Sequence, residues 1–239
     1  NPNSDCVNAP DGLGKLRRYE IKSGNTFPSN RTHAQELQNF ANWFTYYRKR
    51  KLMLAGGMGR TLEPITGLRF GVVPLNDRSS FGGTMWDADS KTASSNRYAA
   101  AGKFYLNSMS AQGTPTRGTI KYIGDIYDNS SKKIVEYACQ RNSMFVVTDG
   151  FANDGAPSVP SYNSATYGAV APYQTTAVGS MAAQPRAYYT NRLRTDLAAG
   201  LVPPGDPLRT NPDLNTNLHI TTYGITLGAR GTLFPTALD

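Results

Sequence analysis

Met144-Phe145-Val146-Val147-Thr148-Asp149-Gly150 is the stretch on which the fold assignment turns. Four apolar residues in succession, with no polar alternation, are the pattern of a β-strand covered on both faces, as in a parallel sheet. The run then breaks abruptly at Thr-Asp-Gly. In open parallel sheets ligands bind beyond the carboxyl ends of the strands, so Asp149 occupies a place where chemistry is expected. A carboxylate ending a buried strand is costly unless it is paired or holds a cation, which makes Asp149 a candidate metal ligand. The plainer reading is a turn cap formed with Gly150.

Upstream of this strand, Lys133 to Cys139 reads as a short helix, and Gln112-Gly113-Thr114-Pro115-Thr116 as a loop into a helix carrying Ile120, Ile123 and Ile126. Proline just inside a helix start, after a Thr cap, is a favourable arrangement. Thr114 is the second candidate ligand, since Mg²⁺ and similar hard cations take hydroxyl, carboxylate and water oxygens. Its alternative reading is a simple N-cap. A further helix is expected over Arg97 to Met109, a polar loop over Asn76 to Asn96 and a strand over Leu68 to Val73. Thr32-His33-Ala34-Gln35 has the form of a capping box. It precedes Leu37, Phe40, Ala41, Phe44, Tyr47, Leu52 and Ala55 at helical spacing, a helix weakened at Gly56-Gly57 and closed before Pro64. A short extended segment is expected at Leu16 to Ile21.

Downstream, residues 151 to 182 carry hardly any charge and few aliphatic residues, and read as a surface insertion. Arg186 to Ala199 reads as helix, Leu201 to Asn217 as a proline-rich loop and His219 to Leu227 as a last strand. Strands alternating with helices predict an α/β domain, a mostly parallel sheet flanked by helices with long loop insertions.

Composition narrows the function classes. The chain has 239 residues, enough for one α/β domain, with 39 % hydrophobic residues and a mean hydropathy of −0.45. No apolar run approaches the ~20 residues that a spanning helix needs. Net charge is +8, which favours acidic partners, but the charge is scattered. Its densest run, Arg48-Lys49-Arg50-Lys51, falls within the expected first helix and reads as a solvated surface, with no aromatic and basic interleaving of a nucleic-acid module. Two cysteines, Cys6 and Cys139, lack a C-x-x-C partner or a neighbouring histidine, so a zinc site is not expected and either a disulfide or two free thiols remains open. There is no G-x-S-x-G, Walker A or H-E-x-x-H motif. His33 and His219 read as structural, and Glu20, Glu36, Glu63 and Glu136 are dispersed. The expectation is binding, not catalysis.

Glu36-Leu37-Gln38-Asn39-Phe40-Ala41-Asn42-Trp43-Phe44-Thr45-Tyr46-Tyr47-Arg48-Lys49-Arg50 resembles, almost letter for letter, a helix of the type IV pilus tip-associated PilY/PilC family. Three blocks follow in that family's order: Gly113-Thr114-Pro115-Thr116-Arg117, Cys139-Gln140-Arg141-Asn142 with Val147 to Asn153, and Leu218-His219-Ile220-Thr221-Thr222-Tyr223 with Leu227-Gly228. Tyr188-Tyr189 with Thr195-Asp196-Leu197 is similar to another of its helices. The likeness spans about residues 17 to 233, and it points to the family's N-terminal von Willebrand A-like region.

The resemblance implies an exported protein at the pilus tip or cell surface, serving adhesion and pilus biogenesis, with minor pilins, the tip complex or a host or surface receptor as partners. Nucleic acid is not an expected partner. In that fold a metal-ion-dependent adhesion site combines an Asp-x-Ser-x-Ser strand, a Thr on a second loop and an Asp on a third, holding Mg²⁺, Mn²⁺ or Ca²⁺. Thr114 matches the second position and Asp149 the third. No Asp here is followed by Ser at both required places; Asp77-Arg78-Ser79-Ser80-Phe81 and Asp128-Asn129-Ser130-Ser131-Lys132 each miss. The expectation is therefore one domain over 1–239 lacking its first strand, or a member without the metal that docks onto minor pilins as a structural component. Export further implies a Cys6–Cys139 disulfide.

Overall fold

Thr32 opens the first long helix as the capping box requires. Its hydroxyl accepts the Gln35 N–H at 3.3 Å and the Gln35 side chain accepts the Thr32 N–H at 2.9 Å. The computed structural model describes residues 6–8, 15–17, 19–81, 83–106, 113–148, 150–155, 157–158, 181–210 and 212–226. The chain divides into two compact units, residues 1–66 with 101–107 and residues 67–100 with 108–239. Five α-helices are described alongside short strands, and one two-stranded sheet is parallel, so the architecture is broadly α/β.

In the first unit β1 (Cys6–Asn8) pairs antiparallel with β2 (Lys15–Arg17), where sequence reading expected a single segment at Leu16 to Ile21. Helix α1 (His33–Tyr46) is followed by α2 (Arg50–Leu62). The single long helix expected here is thus broken at residues 47–49, and Gly56-Gly57 lies inside α2 instead of ending it. The reason is packing. A Cβ on Gly56 would stand 2.9 Å from the Tyr47 ring, and one on Gly59 would stand 2.8 Å from the Tyr105 hydroxyl, so bare backbone on α2 admits both tyrosines. Ala55 and Leu62 are the buried residues of α2, whereas α1 buries none.

The second unit opens with β3 (Arg69–Phe70) paired antiparallel with β4 (Trp86–Asp87). The strand expected over Leu68 to Val73 is therefore a short hairpin arm and not a member of the parallel sheet. Helix α3 (Arg97–Leu106) begins in this unit and ends among the residues of the first, and α4 (Thr116–Asp128) follows in the second. Helix α4 serves two cores. Its Ile120 joins Val135, Met144, Tyr188, Leu193, Val202, Leu218 and Ile220, while Ile126 joins Trp86, Ala100 and Ile134.

No helix forms over Lys133 to Cys139. Lys133 adopts a left-handed φ of 52° after a single 3₁₀ turn. Gln140 then takes the place of helical hydrogen bonds, accepting the Glu136 N–H at 3.1 Å and donating to Ile134 O at 2.9 Å. This turn drops Ile134 and Val135 into the two cores, both fully buried.

Strands β5 (Asn142–Thr148) and β6 (Ile220–Thr226) pair in parallel, Asn142 beside Ile220 through Thr148 beside Thr226. Asn142 and Met144 are buried, but Phe145 is 64 % exposed and stacks on Tyr223 with ring centroids 4.9 Å apart. The two-sided cover expected for this run is therefore present on one face only. Helix α5 (Ala183–Thr190) starts three residues before the expected Arg186 and ends at Thr190, not Ala199, because the Arg194 N–H turns to the Asp128 carboxylate at 2.6 Å and Arg194 adopts a left-handed φ of 49°. The Tyr188 ring lies flat against α4 at Gly124, where a Cβ would approach it to 2.3 Å. Cys139 is exposed and free, so the Cys6–Cys139 disulfide is not supported. No helix among the described residues is long and apolar enough to cross a membrane.

Candidate functional site

Two loops meet at the carboxyl end of β5. Thr114 N–H donates to Asn153 Oδ1 at 2.7 Å, and Asn153 N–H donates back to Thr114 O at 3.2 Å. The Thr114 hydroxyl lies 3.4 Å from where a Cβ on Gly150 would stand. Thr148, the last residue of β5, ties the turn by accepting the Gly150 N–H at 3.4 Å. The loop bearing Thr114 is thus held beside the immediate neighbour of Asp149. Asp149 itself lies outside the described residues, as does most of the 151–182 insertion.

Thr114 is not the N-cap of α4. Pro115 occupies that position and makes no side-chain cap. The cap comes from Asp154, whose carboxylate accepts the Gly118 N–H at 2.7 Å and the Arg117 N–H at 3.3 Å. A carboxylate on the free N–H groups of a helix start is favoured by both hydrogen bonding and the helix dipole. The Arg117 guanidinium also donates to Asp154 O. A third loop closes the rim, since the Thr119 hydroxyl donates to Leu75 O at 3.2 Å and Arg78 lies against Gly118. Sequence reading missed Asn153 and Asp154. Their signal was weak, two short polar side chains before Gly155 in a stretch read as insertion.

The acids of the two near-miss motifs have hydrogen-bond partners of their own. Asp77 accepts the Ser79 hydroxyl at 3.1 Å, and Asp128 accepts the Arg194 N–H. Among the described residues no group of three or more His, Cys, Asp or Glu side chains is spaced to hold a metal ion.

A second polar cluster surrounds Asp213. One carboxylate oxygen accepts the Tyr189 hydroxyl at 2.8 Å and the Asn215 N–H at 3.1 Å. The other lies 2.9 Å from His219 Nε2 and accepts the Thr221 hydroxyl at 3.2 Å. Burial alone would raise the Asp213 carboxyl, but the hydrogen bonds from Tyr189 and Asn215 and the nearby His219 outweigh it and hold it below the usual carboxylate range. His219 Nδ1 faces Asn217 O at 2.7 Å. Both ring nitrogens therefore have partners, and His219 ties Asp213 and Asn217 of the preceding loop to the start of β6.

No family model matches the chain, and no solved structure matches it. One curated protein does. The chain is similar to the type IV pilus biogenesis factor PilY1 of Pseudomonas aeruginosa (strain PAK). Identity is 25 % over 243 aligned positions, covering 82 % of this chain and 20 % of PilY1. The relation is distant, and the chain spans about a fifth of the length of PilY1.

Proposed function

We propose that the chain is a PilY1-like, von Willebrand A-like module that acts at the tip of a type IV pilus or at the outer cell surface, in adhesion and pilus biogenesis. It works by binding a surface receptor or the minor pilins and not by catalysis. Thr114 and Asp149 supply two of the ligands of a divalent cation, Mg²⁺, Mn²⁺ or Ca²⁺. The observation that carries the reading is the interlock of the 113–118 and 150–155 loops beyond β5, which holds the Thr114 hydroxyl beside Gly150. The distant similarity to PilY1 and the parallel pairing of β5 and β6 support it. Calorimetric titration of the full-length protein with Mg²⁺ or Mn²⁺ is expected to give binding that Asp149→Ala abolishes and Thr114→Ala weakens. Absence of heat with either metal removes the cation from the proposal.

A second reading is a metal-free tip component that docks onto minor pilins. It is favoured by the way Asn153 and Asp154 engage the loop and helix start with internal hydrogen bonds. Normal piliation when Thr114 and Asp149 are both alanine would select it.

A further inference from the structure

The aromatic face of α1 and the turn that follows it form a surface of defined chemistry. Leu37, Phe40 and Phe44 repeat on one side of the helix and are 50 %, 46 % and 46 % exposed, with Trp43 beside them at 49 %. Phe40 packs against Trp43 and Phe44, with centroids 5.7 and 6.1 Å apart, so the rings form a continuous ridge. The opposite side carries Gln35, Gln38, Asn39, Asn42 and Thr45, all uncharged. The basic run begins where α1 ends. The Arg48 guanidinium stands 4.1 Å over the Phe44 ring, and Lys49 is exposed in the turn. From Leu37 to Leu62 there are five basic residues and no acidic one. Glu36, just before this stretch, is engaged by Ser29 at 3.0 Å and Arg31 at 3.5 Å.

An aromatic and aliphatic ridge bordered by cations is complementary to an anionic bilayer surface. Trp, Phe and Leu enter the boundary between headgroups and acyl chains, and Arg and Lys meet the phosphates. We propose that the α1–α2 hairpin docks on anionic lipid, with Leu37, Phe40, Trp43 and Phe44 in the acyl boundary and Arg48 and Lys49 on headgroup phosphates. This surface is independent of the Thr114 rim, so either reading can fail alone.

The chain carries two tryptophans, of which Trp86 is buried and Trp43 half exposed, so Trp emission reports on this helix. Vesicles of phosphatidylglycerol with phosphatidylcholine are expected to shift the emission to the blue and co-sediment the protein at low salt, and vesicles of phosphatidylcholine alone are not. Trp43→Phe removes the spectral shift. Arg48→Gln and Lys49→Gln each weaken binding about fivefold, and Trp43→Gln weakens it roughly tenfold. Because α1 buries no residue, these variants remove no core contact, and far-ultraviolet circular dichroism checks their folding. The Arg48 and Lys49 variants, in an exposed turn, keep the test valid if Trp43→Gln misfolds. Absence of binding to any vesicle, equal binding to both vesicle types, unchanged affinity of the folded variants, or an emission shift with heparin or single-stranded DNA in place of vesicles would each overturn the proposal.

Discussion

At Gly124 the chain has no room for a side chain, because a Cβ there would stand 2.3 to 2.4 Å from Tyr188 ring atoms. Gly124→Ala is expected to destabilise the protein by about 1–3 kcal/mol. At Gly57, also helical, nothing lies within 4 Å, so Gly57→Ala is expected to stabilise by about 0.5–1 kcal/mol. Urea denaturation of the two variants checks both signs. Asp213 gives a pH dependence. Its folded carboxyl titrates below the usual range, so its contribution is present above the unfolded value and lost as pH falls through the folded one. Asp213→Asn is expected to cost about 1–3 kcal/mol at neutral pH by weakening the acceptor shared by Tyr189, His219, Asn215 and Thr221. The gap to the native protein should close on acidification, as stability curves from pH 7 to pH 3 would report. The Asp213 partner of His219 was not legible in the sequence, since a loop aspartate among prolines carries no periodic signal.

Elements were legible where their signals are local. The Thr32 capping box, the start of α1 and the isoleucine spacing of α4 involve residues within a few positions of one another, and each is present. Thr32→Ala is expected to cost about 1 kcal/mol, read from the thermal unfolding of the helical signal. Elements were misread where a side chain outside the periodic pattern intervened. The expected helix at 133–139 yielded to Gln140, and the break between α1 and α2 yielded to tyrosine rings packing on glycine backbone. The candidate site shows the same division. Thr114 was visible as a hydroxyl at a loop-to-helix junction, while the cap of that helix came from Asp154, 36 residues from Gly118. Asp154→Asn is expected to loosen this clamp by about 1 kcal/mol or more, seen as faster amide exchange at Arg117 and Gly118.

At the scale of the whole molecule, buried residues are unevenly shared. The second unit holds both hydrophobic clusters, whereas α1 in the first buries nothing. Native-state amide exchange is therefore expected to be fast in α1 and slowest in α4 and β5, by orders of magnitude. Equal protection of α1 and α4 would contradict that ordering. The amino-acid sequence by itself determined the broad α/β class, the starts of α1 and α3 and the strand through Met144. These depend on hydrogen bonds and periodicity spanning one or two turns. Only the tertiary structure decided the parallel partner of β5, the one-sided cover of that pair and the clasp of Asn142 on His219 O across 77 residues. Those outcomes depend on which distant groups satisfy one another's polar atoms and fill one another's bare backbone, and no local pattern encodes that choice.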